Sequence, residues 1–157
     1  MKLLYLCTHN ACRSVLCEVI TREMAGSRLV TASAGSAPAG RIHPLTLQVL
    51  RERGSAVERL RSQGLDDLTD FDPDVVITVC DNAAAEECPL WLSSALRVHW
   101  GLPDPTALAG DDETRLAAFD RVISTIKNRV EALLAQPFER MKAGELKDLF
   151  VAIGEIT

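Results

Sequence analysis

Residues 1–14 read MKLLYLCTHNACRS. An apolar run, Leu3 to Leu6, stops at Cys7; Arg13 follows six positions later, and Ser14 follows that. The run has the length of a short buried strand. From Ser14 to Ala25 the residues Val15, Leu16, Val19, Ile20 and Met24 recur at helical spacing, and Gly26 marks the stop. The stretch therefore predicts a strand, a loop and a helix N-terminus, with a thiol at the carboxyl end of the strand. Such a loop points successive backbone N–H groups at one place, and the helix dipole adds positive potential there. Both favour a thiolate, since the pKa of a thiol so placed falls from about 8.5 into the range of about 3.5–7.5. Arg13 offers a bidentate fork for two oxygens of an anion. Ser14 can donate its hydroxyl to the Cys7 sulfur. Asn10 is of a type that tolerates a left-handed backbone and braces loops with its amide. A lone strand-end cysteine is more often structural than reactive. The combination with Arg13 and Ser14 instead predicts that Thr8, His9, Asn10, Ala11, Cys12, Arg13 and Ser14 wrap a tetrahedral oxyanion above Cys7.

Outward from this stretch, strands alternate with helices. Leu29–Ala34 reads as a second strand, and Pro44 opens a helix that ends at Gly54. Residues 59–72 are ambiguous between a short helix and a loop. FDPDVVITVC, residues 71–80, is a strand that again ends on a cysteine, and ALRVHW, residues 95–100, is a fourth. Asp112–Leu134 is a long amphipathic helix with Leu116, Phe119, Ile123, Ile126, Val130 and Leu133 on one side. This order implies an α/β fold with a four-stranded parallel sheet flanked by helices on both faces. Ligands of such sheets sit beyond the carboxyl ends of the strands. Cys7 and Cys80, 73 positions apart, are thus expected to meet in one crevice. Residues 1–136 are expected to form the domain. Residues 137–157 are expected to add a C-terminal helix after Pro137, which caps the core or joins two chains as a homodimer.

The bulk properties fit a single domain: 157 residues, 47% hydrophobic and 25% charged. A net charge of −5 argues against nucleic-acid and acidic-membrane partners, yet a local nest of N–H groups still suits a small anion. The apolar start is too short for a membrane span or a secretory signal, so the chain is expected to be cytoplasmic. Five cysteines in that reducing setting are not a disulfide framework. CDNAAAEECP, residues 80–89, leaves seven residues between Cys80 and Cys88. The pair reads as core cysteines, as part of a metal site, or as a redox couple. Zinc sites prefer two to four intervening residues, and His9, His43 and His99 show no ligand spacing, so no metal is expected from this pair.

CTHNACRS, Cys7–Ser14, resembles the phosphate-binding loop of the low-molecular-weight protein tyrosine phosphatases, a fold shared by the thioredoxin-coupled arsenate reductases. The resemblance extends over about residues 1–135 and takes in SAG at Ser33–Gly35, the strand DVVITVC, and HWGLPDP at residues 99–105. His9 stands where many members carry glycine. The resemblance implies that Asp104 is the general acid that protonates a leaving oxygen, a role helped by any rise in its pKa. It also implies that arsenate, phosphate or sulfate is the bound anion. For arsenate reduction, an arsenic-detoxifying reaction, it implies that Cys7 attacks arsenic, Cys80 then attacks Cys7, and Cys88 draws the disulfide outward. No tightly bound cofactor is expected. The resemblance implies an external thiol as reductant, thioredoxin or glutathione with glutaredoxin. On a helix eight positions span about 12 Å, whereas a disulfide needs Cα atoms within about 4.4–6.8 Å, so residues 80–88 must loop or unwind when Cys80 and Cys88 join. Cys12 is a candidate to shield Cys7 from overoxidation, and Cys17 reads as a small packed hydrophobe. Asn10, Glu18 and Ser33 form a candidate potassium site as in some relatives. The alternative activity is hydrolysis of phosphate monoesters by Cys7, Arg13 and Asp104. It is weakened by Thr106, which stands where the phosphatases tend to place a tyrosine. A third reading, an oxyanion or redox sensor, would use the same loop without turnover.

Overall fold

Lys2–Cys7 forms β1, and its residues from Leu3 to Cys7 are all buried. Alternation sends Leu3, Tyr5 and Cys7 to one side of the sheet and Leu4 and Leu6 to the other, where each set joins a separate apolar cluster. A strand apolar on both sides suits only an interior position, and β1 is interior. The computed structural model describes residues 1–85 and 89–157. In it Arg13–Ala25 is α1, Val30–Gly35 is β2, Pro44–Glu52 is α2 and Val75–Thr78 is β3. Asp81–Ala85 is α3, Leu96–His99 is β4, Asp112–Leu134 is α4 and Ala143–Gly154 is α5. The sheet is parallel throughout in the order β2-β1-β3-β4. The ambiguous stretch before β3 holds one 3-10 turn, Leu65–Leu68.

The order reverses direction between β1 and β3. Such a reversal opens a crevice at the carboxyl ends of the two strands, because the connections leave them toward opposite sides. Cys7 ends β1, and Val79 continues β3 with its N–H on the Leu6 carbonyl at 2.8 Å. Cys80 therefore lies at the same crevice as Cys7, and both belong to the same apolar cluster.

The two faces are covered unequally. The larger cluster is built with α1, α4 and α5 and includes Val15, Leu16, Phe119, Ile123 and Phe150. The smaller joins Leu4, Leu6 and Val76 to Leu92, with Leu65, Leu68 and Phe71 packed on it, so 3-10 turns serve there in place of long helices. α4 starts on an Asp111 carboxylate that accepts the Thr114 N–H at 2.9 Å, with Asp112 and Glu113 in its first turn where the helix dipole favours anions.

Residues 137–157 do not continue as one helix from Pro137. A 3-10 turn, Phe138–Arg140, comes first, and α5 begins at Ala143. α5 caps the core of its own chain. Phe150 is buried and stacks on Trp100, with ring centroids 5.7 Å apart, and its carbonyl accepts the Trp100 indole N–H at 2.9 Å. Burying a ring of that size stabilises the fold by about 2–3 kcal/mol. The buried Arg129 of α4 ties the end of α5 to the loop after β4: it donates to the carbonyls of Gly154 and Ile156, both at 2.8 Å, and of Gly101 at 3.3 Å.

Candidate active site

The loop from Thr8 to Cys12 is held from behind by the segment after β2. The amides of Ser36, Ala37, Ala39 and His43 donate to the carbonyls of Cys7, Thr8, His9 and Ala11 respectively. Asn10 has φ of +46°, the left-handed conformation its residue type tolerates. Gly35 allows the close approach. A Cβ there would lie 2.6 Å from the Thr8 carbonyl oxygen and 3.0 Å from the Asn10 amide nitrogen. Both are backbone atoms, so the loop itself would have to move. Gly35→Ala is expected to lower kcat/KM for any oxyanion reaction by more than about tenfold, while phosphate titration shows the weakened anion binding; unchanged phosphate affinity would contradict this account.

The side chains of Asn10 and Ser14 form a directed hydrogen-bond chain ending at the Cys7 sulfur. The Asn10 carbonyl oxygen accepts the Gln63 backbone N–H at 2.9 Å, which orients the amide. Its Nδ2 then donates to Ser14 Oγ and Ser33 Oγ, both at 2.9 Å. Ser14 Oγ, already an acceptor, directs its own proton to Cys7 Sγ, 2.9 Å away. The Asn10 N–H donates to the same sulfur at 3.1 Å. α1 begins just beyond, at Arg13. Two hydrogen bonds and the N-terminal end of α1 thus converge on the Cys7 sulfur.

Ser33 passes its proton to Glu18 Oε2 at 2.6 Å. Burial pushes the Glu18 carboxyl above its ordinary range, against the hydrogen bond from Ser33 and the charge of Arg22. Asn10, Glu18 and Ser33 thus come together, as the candidate potassium site requires, but donors of this set point at its own acceptors. Among the described residues, no cluster of three or more His, Cys, Asp or Glu side chains suits a metal ion.

Above the sulfur is a cleft of about 60 Å³ whose lining includes Cys7, His9, Arg13, His43, Asp104 and Thr106. The Arg13 guanidinium donates to Asp104 Oδ2 at 3.0 Å and to the Leu102 carbonyl at 3.3 Å. The other carboxylate oxygen of Asp104 accepts the Thr106 N–H at 2.9 Å and its hydroxyl at 2.7 Å. Burial raises the Asp104 pKa, but the two Thr106 hydrogen bonds, Arg13 and His43 together outweigh burial and hold the carboxyl below its ordinary range. The crevice therefore does not raise this pKa in the anion-free protein, contrary to the condition attached to a general acid.

Four cysteines are described, and all four are free and buried. Burial pushes the Cys12 thiol up to about 12; the Thr46 hydroxyl beside it opposes this, although the two close no hydrogen bond of good geometry. Burial likewise raises the Cys17 thiol far above its ordinary range. Both are thiols rather than thiolates, which suits Cys17 as packing and makes Cys12 a slow disulfide partner for Cys7. Cys80 contacts the loop through Thr8, whose hydroxyl is 3.5 Å from its sulfur. Cys88 lies outside the described residues.

Sequence reasoning had given no part to Gln63, His43 or the Thr106 hydroxyl. Gln63 orients Asn10 through its backbone N–H, which any residue but proline could supply. Thr106 stands where a tyrosine would wall the cleft and instead caps Asp104, an Asp-x-Thr spacing that is a recognisable local pattern. The chain's only tyrosine, Tyr5, is buried and bonded to Thr21 at 2.8 Å, far from the role of a cleft wall.

Comparison with known proteins agrees with this geometry. The family model of low molecular weight phosphotyrosine protein phosphatase matches residues 2–144. An arsenate reductase of Halalkalibacterium halodurans is 34% identical over 127 residues, which cover 81% of this chain and 90% of that protein. A glutaredoxin arsenate reductase of a Synechocystis species is 27% identical over 135 residues, 86% of this chain and 97% of that protein. The solved arsenate reductase of Archaeoglobus fulgidus is similar with a TM-score of 0.68 at 29% identity, covering 85% of this chain and 99% of that one. The thioredoxin-dependent arsenate reductase of Corynebacterium glutamicum gives 0.63 at 30%, covering 85% and 60%.

Proposed function

The chain belongs to the low molecular weight phosphotyrosine protein phosphatase family, and from that premise we propose that it reduces arsenate to arsenite with electrons from its own thiols. The observation that carries this reading is Cys80, a second thiol at the adjoining strand end and against Thr8. Ester hydrolysis has no use for it. The small cleft, with Thr106 turned onto Asp104, also suits a bare tetrahedral anion better than an aryl ester.

In the proposed cycle the loop amides and Arg13 bind arsenate, and the Cys7 thiolate forms a sulfur–arsenic bond as one hydroxyl group leaves. Asp104 supplies the proton that makes this group water. Arsenate itself prepares that step. Its negative charge competes for Arg13, and a like charge beside the carboxylate raises its proton affinity. The Cys80 thiolate then attacks Cys7 Sγ. The sulfur–arsenic bond breaks, its electron pair reduces arsenic from the +5 to the +3 state, and arsenite leaves a Cys7–Cys80 disulfide. Cys88 next attacks Cys80, restoring the Cys7 thiolate, and an external dithiol or glutathione reduces the disulfide that remains. The last exchange needs α3 to loop. α3 is one short helix that begins directly after Cys80 and buries only Ala83, so few contacts oppose its opening. This agrees with relatives that are thioredoxin- or glutaredoxin-linked.

The test is a steady-state assay of arsenate reduction with thioredoxin and its reductase, and separately with glutathione and glutaredoxin. Many turnovers per chain are expected with one of the two. No turnover with either, together with hydrolysis of p-nitrophenyl phosphate, would assign the chain to the phosphatases instead.

A further inference from the structure

His43 lies outside the loop and has no place in the cycle above, yet its ring borders the cleft. Its backbone is fixed there, since the His43 N–H donates to the Ala11 carbonyl at 2.9 Å, in the middle of the anion loop. Its side chain is fixed as well. His43 is the N-cap of α2, and its Nδ1 accepts the Leu45 N–H at 3.2 Å, just ahead of which Pro44 occupies the first helical turn. A ring nitrogen that accepts a backbone N–H carries no proton, so the proton of the neutral ring is on Nε2. Nε2 is on the edge of the ring away from the α2 backbone, the edge able to reach the cleft. The same cleft is lined by Cys7, Arg13 and Asp104. An anion seated over Cys7 therefore shares its cleft with the His43 ring.

We propose that the Nε2–H of His43 is an oxyanion-binding donor, supplied by the N-cap of α2 rather than by the anion loop, and that it orients the anion on the rim shared with Asp104 and Arg13. The chemical class it recognises is a tetrahedral oxyanion with an unprotonated oxygen toward the α2 side. The cap sets the tautomer, and the tautomer sets the donor, so one side chain does both. His43 and Asp104 line the same rim of this cleft. The donor and the acid thus share the same end of the bound anion. This inference rests on the reading of the cleft as an oxyanion site.

The test uses inorganic phosphate as probe, titrated calorimetrically into the full reduced chain, with the thermal midpoint measured in parallel. Two variants separate the two roles. His43→Asn keeps an acceptor at the position of Nδ1, and asparagine is among the best N-caps, but it has nothing at the position of Nε2. His43→Gln places its amide N–H near the position of Nε2 and loses the short cap. His43→Asn is expected to keep the midpoint and to bind phosphate about tenfold more weakly, the loss of one hydrogen bond to a charged group. His43→Gln is expected to lower the midpoint and keep more of the phosphate affinity than His43→Asn does. Phosphate affinity in His43→Asn within twofold of the native chain overturns the proposal, as does a loss of affinity that simply follows the midpoint in both variants. A native chain that binds phosphate but never turns over arsenate would overturn the proposed function and leave this comparison intact. A native chain that binds no phosphate would overturn both.

Discussion

Cys7→Ser is expected to abolish arsenate reduction and p-nitrophenyl phosphate hydrolysis together, by about 10⁴-fold or more, while the protein stays folded and still binds phosphate. The oxygen of serine can accept the same two hydrogen bonds, from the Asn10 N–H and the Ser14 hydroxyl. Those two partners both donate. The Ser14 oxygen already accepts from Asn10 and Asn10 is oriented by Gln63, so this chain has no base in it that could take a proton from a serine. An arrangement that supports a sulfur anion therefore leaves an alcohol protonated and unreactive. Thermal midpoint and phosphate affinity provide the controls, and both should stay close to the native values. Residual turnover above about one hundredth of native with intact phosphate binding would mean that another group attacks the anion, and the site would have to be rebuilt around it.

The fold, and the gathering of Cys7, Asn10, Arg13 and Ser14 at one strand end, were legible because each rests on local pattern. β1 and β3 are apolar runs that both end near a cysteine, α1 shows a clear helical period, and the alternation of elements leaves a parallel sheet as the natural solution. The left-handed Asn10 and the Ser14 hydrogen bond followed from residue type alone. What stayed hidden is what depends on long-range approach. Gly35 looks like an ordinary turn glycine until β2 is seen to pass within a Cβ of the Thr8 carbonyl. His43 reads as a stray histidine until its amide is seen on Ala11. The state of Asp104 is of this kind too. Its sequence neighbour Thr106 and its distant neighbour Arg13 both hold the carboxylate charged, and only the second is beyond local reading. The C-terminal helix was legible, but the turn that precedes it was not. Its apolar spacing shows a helix, but the 3-10 turn at Phe138–Arg140 comes from packing, with Phe138 buried and Arg28 over its ring at 4.6 Å.

Cys80→Ser separates reduction from hydrolysis. Both reactions begin alike, with the Cys7 sulfur bonded to the central atom of the anion, and water alone completes hydrolysis. Reduction needs a second electron pair donor, because arsenic leaves with the pair of the sulfur–arsenic bond only if another sulfur replaces it on Cys7. Strand pairing brings Cys80 to the same crevice as Cys7: Leu6 of β1 is in register with Thr78 of β3. Its sulfur already touches Thr8, the residue next to Cys7. Serine is nearly isosteric there but cannot form a disulfide. The variant is thus expected to fall to background in arsenate turnover, a loss of about 10³-fold or more, and to release less than one arsenite per chain in a single-turnover assay with no external thiol. Hydrolysis of p-nitrophenyl phosphate, however slow in the native chain, should persist within about threefold. Loss of both activities with a lowered thermal midpoint would show only that Cys80 packs the strand end. Survival of arsenate turnover with either reductant would mean that the second electron pair comes from an external thiol acting directly on Cys7, and the internal relay would be ruled out.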